Sequence, residues 1–225
     1  MDSMSTFPTS STVVSDLKSL IVDDTIPVSI LSRLLPTKQQ EAKKTAAENA
    51  ADAAAAGAAV GPWLIKHPEA VVMPRIQKFL SYIRSQPEHK KVAAVGSCWG
   101  ARYAILLTHP EADPYVDCAV GHHPSFVNIP GEIEKIAKPV AIEVGDADTI
   151  FVQKDIEITK EIFKNKKDCE IEVYEDQVHG FTIRGDLSVD KDKKAKEKAV
   201  KRVPPTSCHA NEVCFVYQQT YVVRQ

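Results

Sequence analysis

Hydrophobic positions along this chain fall into short unbroken runs and longer runs spaced as on a helix, and the two kinds alternate. Val92-Ala93-Ala94-Val95, Val116 to Gly121 and Pro139 to Val144 are apolar stretches bounded by turn residues, the pattern of strands covered on both faces. Cys169 to Tyr174 sets Ile171 and Val173 among acidic residues, which predicts a strand with one more exposed face. Val71, Val72, Ile76, Phe79, Leu80 and Ile83 recur at helical spacing, and Ile150 to Lys164 is helical in pattern too. Strands alternating with helices predict a parallel sheet flanked by helices.

Other segments are read by composition. Residues 1–15 are rich in Ser and Thr without a periodic apolar pattern, and are expected to be a flexible N-terminus. Asp16 to Leu35, with Pro27 inside it and Pro36 after it, suggests a strand fragment or loop leading into a short helix. Gln39 to Ala59 is dominated by alanine with interleaved charges and favours helix strongly. Gly61 to Pro68 is a punctuated connection, and Asp190 to Arg202 is a lysine-rich helix with a solvated face. Val213 to Tyr217 and Tyr221 to Val223 suggest two short strands, a possible hairpin. Residues 16–203 are therefore expected to form one α/β domain, with 204–225 as an atypical tail.

At 225 residues and 44% hydrophobic content the chain is long enough for one sizeable core; folding at this length buries roughly 70–75% of the surface. A net charge of −2 gives no reason to expect nucleic acid or an anionic membrane as partner, so the expected partner is a small molecule. Five cysteines at 98, 118, 169, 208 and 214 form no Cys-x-x-Cys pair, and their odd number does not suit a secreted disulfide framework. Met1 to Ser15 has no basic region followed by an apolar run. These features together point to the cytosol. Cys208-His209 and Cys214 lack the further ligands that would complete a metal site.

Gly96-Ser97-Cys98-Trp99-Gly100 follows the first of the apolar strands directly and opens a helix-like segment. A nucleophile on a tight strand-to-helix turn needs glycines on either side, where strand and helix backbones approach too closely for a Cβ. A thiol placed there stands at a helix N-terminus, whose free amides and dipole favour the thiolate. Two further candidates follow later strands: Asp146 and Asp148 in Gly145-Asp146-Ala147-Asp148, and His179 in Val178-His179-Gly180-Phe181. The order Cys98, Asp, His179 is the nucleophile, acid, histidine order of α/β-hydrolases. His122 and His123 also follow a strand, and either could line a pocket or serve as a substitute base.

These motifs, together with His123-Pro124-Ser125 and Arg184-Gly185, resemble the dienelactone hydrolase family in its fungal branch, over roughly residues 60 to 186. The resemblance implies an α/β-hydrolase-like three-layer sandwich whose parallel sheet is incomplete on its N-terminal side, since the family's first strands have no visible counterpart in residues 1 to 60. It implies hydrolysis of a small ester or lactone through an acyl-enzyme on Cys98, with His179 as base and Asp148 as orienting acid. The Trp99 amide is then an oxyanion donor, and Arg184 and His123 are candidate substrate-binding residues. No metal or organic cofactor is required. The alternative is an inactive α/β-hydrolase-like binding protein, since two oxyanion donors are needed and the second has no visible source.

Overall fold

A computed structural model describes residues 45–85, 87 and 91–201 and the backbone of 213–218. Its elements are, in chain order, α1 (Ala46–Lys66), α2 (Glu69–Ser85), β1 (Lys91–Ser97), α3 (Trp99–Leu106), β2 (Cys118–His122), α4 (Gly131–Glu134), β3 (Val140–Gly145), α5 (Gln153–Phe163), β4 (Cys169–Tyr174), α6 (Phe181–Arg184), α7 (Asp190–Val200) and β5 (Val213–Gln218). The strands lie in one parallel sheet in the order β4-β3-β2-β1-β5. The expected alternation of strands and helices is what the backbone forms.

One face of the sheet carries the main core. Val92 and Ala94 of β1, Ala119 of β2, and Val140 and Ile142 of β3 pack with Ile76 and Leu80 of α2 and with Tyr103 and Ile105 of α3. The period-2 alternation of a strand meets the 3.6 period of the amphipathic helices here, and the burial of these side chains is the chief stabilising term. On the other face Tyr174 packs with Phe181 of α6 and Ala199 of α7. Helices thus lie on both sides of the sheet, an α/β-hydrolase-type arrangement of layers.

Three sequence expectations are refined. Helix α1 does not stop at Ala59 but runs through Gly61 and Pro62 to Lys66. Pro62 removes one helical hydrogen bond, yet Trp63 stacks on His67 at 4.4 Å and meets the edge of Trp99 at 4.9 Å, and this packing holds the last turn. The start of α1 carries a capping box, in which Glu48 N–H donates to Thr45 Oγ1 at 3.2 Å and Thr45 N–H donates to Glu48 Oε2 at 2.7 Å. The second concerns the tail. Val213–Gln218 is a strand parallel to β1, in register from Lys91↔Val213 to Gly96↔Gln218, and the second strand of the possible hairpin falls outside the described residues. It covers the side of β1 that the sequence reading left open. Tyr221 to Val223, residues 1–15 and Asp16 to Leu35 lie outside the described residues. Third, Cys118 is fully buried, as its apolar strand predicts, and it is disulfide-bonded, which the odd cysteine count did not suggest. Cys98 and Cys169 are free thiols.

Candidate active site

The carboxyl ends of β1 to β4 lie along one edge of the sheet, and the loops that follow them supply the site, as in parallel α/β sheets generally. The turn after β1 holds Cys98 at φ 55° and ψ −119°, a left-handed backbone that a residue with a Cβ adopts only under strain. That strain is sustained by its surroundings: Cys98 N–H donates to the His122 carbonyl at 2.9 Å, while the Cys98 carbonyl accepts from Ala101 and Ser125 amides at 3.1 Å each. A Cβ on Gly96 would sit 2.3 Å from the Gly100 carbonyl oxygen, so only glycine lets strand and helix meet. Cys98 as a residue is half-buried. Trp99 donates its backbone N–H toward the sulfur, and its ring packs edge-on against Trp63 and Tyr103.

The loop after β3 delivers Asp148. Its Oδ1 accepts the amides of Ile150 and Phe151 at 2.8 and 3.0 Å, and its two oxygens lie 3.1 and 2.8 Å from His179 Nδ1. Asp146, the rival acid, is engaged elsewhere, since its Oδ1 accepts the Asp176 amide at 2.7 Å. Between the two loops stands Gly145, where an added Cβ would fall 1.9 Å from the Gln177 carbonyl oxygen. This close approach carries His179 over to Asp148. The carboxylate fixes the ring so that Nε2 faces the sulfur of Cys98.

The loop after β2 closes the group. Ser125 Oγ is 3.2 Å from Cys98 Sγ and 3.2 Å from His179 Nε2, and the residue is buried. Sequence reasoning quoted Ser125 only as part of a motif; its place just past a strand end was the available signal. His123 lies deeper than its expected place in a substrate-lining wall. It has no solvent exposure, its Nε2 is 2.7 Å from Thr182 Oγ1, and its ring stands T-shaped behind His179 at 4.9 Å. Arg184 is partly exposed, with its Nη2 end against Gly180. His122 is buried as well.

The electrostatics follow from this packing. Burial works against charge on Cys98, but the His179 hydrogen bond and charge, the Ser125 hydroxyl and the Trp99 amide outweigh it and hold the thiol below its ordinary value. Burial likewise opposes a cation on His179, and the hydrogen bonds to Asp148 and Cys98 overcome it, raising the imidazole to about 9. The imidazole therefore carries a proton near neutral pH, and its charge favours the thiolate form of the neighbouring sulfur. Burial lowers His122 to about 4 and His123 well below its usual value, with the His179 charge adding to the effect on His123. Both are neutral rings, poorly placed to act as substitute bases. Among the described residues no group of three or more His, Cys, Asp or Glu side chains could hold a metal ion. No described helix is long and apolar enough to cross a membrane.

Comparison with known proteins agrees with the motifs. The chain is 31% identical to the hydrolase tropI of Talaromyces stipitatus over 54% of its own length and 47% of that protein. It is 27% identical to the hydrolase pyvD of Aspergillus violaceofuscus over 61% and 55%, and 26% identical to a carboxymethylenebutenolidase homolog of Xenopus tropicalis over 63% and 57%. The chain thus spans about half the length of the curated relatives it matches. Among solved structures it is similar to the dienelactone hydrolase-like promiscuous phosphotriesterase P91 from metagenomic libraries, with 22% identity over 64% of this chain and 61% of that one and a TM-score of 0.47. The model of the dienelactone hydrolase family matches residues 37–206, a span that takes in the Cys98 turn and the loops bearing Ser125, Asp148 and His179, and the chain belongs to that family.

Proposed function

We propose that this chain hydrolyses a small carboxylic ester or lactone through a thioacyl-enzyme on Cys98. The observation that carries the reading is the contact series from the Cys98 sulfur through Ser125 and His179 to Asp148. The thiolate attacks the substrate carbonyl, and the tetrahedral oxyanion takes a hydrogen bond from the Trp99 amide. His179, as imidazolium, protonates the leaving alcohol oxygen; the neutral imidazole then draws a proton from water, which attacks the thioester and releases the acid. Asp148 keeps Nδ1–H oriented and steadies the cation throughout. We assign Arg184 to a carboxylate on the substrate, which a guanidinium grips as a fork. His123 is given a supporting part, as the neutral ring that backs His179. None of these steps calls for a metal or an organic cofactor.

The test is selective alkylation of Cys98 by iodoacetamide, run beside hydrolysis of an activated aryl ester. Labelling is expected to fall first on Cys98 and to abolish turnover, and Cys98→Ala is expected to be inactive. Undiminished hydrolysis by Cys98→Ala would dispose of the reading.

A second reading, a binding protein of the same fold, is favoured by one observation. Among the described residues only one backbone amide, that of Trp99, is identified as a donor at the sulfur. A folded chain with an alkylatable Cys98 that turns over no lactone, aryl ester or thioester would support it.

A further inference from the structure

Ser125 is placed with more care than a loop residue needs. It sits three residues past the end of β2, between residues with left-handed backbones that are not glycine: Phe126 at φ 60° directly after it and His123 at φ 38° ahead of Pro124. Such backbones are costly and persist only where surrounding contacts over-determine them. The contacts here are backbone hydrogen bonds from His123 N–H to the Glu143 carbonyl at 2.6 Å and from Ser125 N–H to the Cys98 carbonyl at 3.1 Å. Together they turn the chain so that one hydroxyl lies equally far, 3.2 Å, from the thiol sulfur and from the imidazole nitrogen. Ser125 is only 1% exposed, while Cys98 as a residue is half-buried, so the hydroxyl lies deeper than the residue it contacts.

We propose that Ser125 is a catalytic hydroxyl that supplements the direct Cys98–His179 contact, carrying the proton between sulfur and imidazole and then holding the resulting thiolate. The proposal rests on the Cys98 reading given above. In the uncharged pair the thiol S–H donates to Ser125 Oγ, and the Oγ–H donates to His179 Nε2. In the charged pair the direction reverses: Nε2–H donates to Oγ, and Oγ–H donates to the sulfur. Between them the S–H bond breaks with its electron pair left on sulfur, a new O–H bond forms, the old O–H bond breaks and an N–H bond forms. The hydroxyl is regenerated and one proton has passed from sulfur to nitrogen. A hydroxyl suits this place because it is both donor and acceptor and can rotate between the two arrangements. Each arrangement polarises the other bond of the chain, which strengthens both. A hydrogen bond to a charged group is also among the stronger kinds, so its loss falls on the thiolate and not on the neutral thiol.

The test compares wild type, Ser125→Ala and Ser125→Thr by the rate of Cys98 alkylation with iodoacetamide as pH is varied. Hydrolysis of an aryl acetate and the melting temperature are followed alongside. Ser125→Ala is expected to alkylate about tenfold more slowly at neutral pH, with its profile moved to higher pH, and to lose about tenfold in kcat with KM little changed. Ser125→Thr, which keeps the hydroxyl, is expected to recover most of both rates. Alkylation and kcat of Ser125→Ala within about twofold of wild type would overturn the proposal. So would equal impairment of the alanine and threonine variants with matching losses of melting temperature, which would make Ser125 a packing residue. A chain that hydrolyses no ester yet shows the Ser125-dependent alkylation profile would uphold the relay and sink the hydrolase reading.

Discussion

Replacing His179 by glutamine separates two contributions that the imidazole combines, the proton acceptor and the cation beside the sulfur. With the cation gone, the Cys98 thiol is expected to titrate upward toward its ordinary value of 9.0. The ultraviolet absorbance of the thiolate during a pH titration checks this. Activity of the unsubstituted chain is expected to follow a bell in pH. Its acid limb falls where Cys98 takes a proton, below 9.0, and its alkaline limb lies near 9, where His179 gives up the proton that the leaving group needs. These residues were legible because each leaves a local trace: glycines around a thiol, and an acid and a histidine just past strand ends. The choice of Asp148 over Asp146 left no such trace in the sequence. It is decided by which carboxylate the turn points at His179 and which at the Asp176 amide.

At the scale of elements, the meeting of the β3 and β4 loops is a backbone contact that one methyl group would break. Gly145→Ala places a Cβ 1.9 Å from the Gln177 carbonyl, and the loop carrying His179 must move away. A displacement of this order is expected to lower kcat/KM by about 10²-fold while the sheet survives, read by steady-state kinetics beside circular dichroism. The edge strand gives a second prediction. A chain ending at Glu212 lacks β5 and bares the β1 edge from Lys91 to Gly96. It is expected to melt about 5–10 °C lower and to self-associate, measured by thermal denaturation and size-exclusion chromatography. Neither the parallel pairing of β5 nor the run of α1 through Pro62 was legible. A short apolar segment does not state its partner, and the local pattern does not show which packing will carry a helix past a proline.

For the whole molecule, the Cys98–His179 pair determines how stability responds to pH. His179, raised from 6.5 to about 9, contributes stability that is complete below 6.5 and lost as pH rises through 9. Cys98, lowered from 9.0, contributes stability that is complete above 9.0 and lost as pH falls through its lowered value. The two contributions therefore change with pH in opposite directions. The melting-temperature difference between Cys98→Ala and Cys98→Ala/His179→Gln, in which only the His179 contribution differs, is expected to shrink as pH rises from 6.5 toward 9. A difference that does not shrink would contradict the raised imidazole. The parallel sheet and its layers were legible from the alternation of runs, because strands buried on both faces leave few polar positions. One last consequence comes from the packing of the indole rings. The chain has two tryptophans, Trp63 and Trp99, 4.9 Å apart, and Trp99 adjoins the sulfur in sequence. Tryptophan emission therefore originates beside Cys98, so a change at that sulfur is expected to be readable as a change in tryptophan emission from the unlabelled protein.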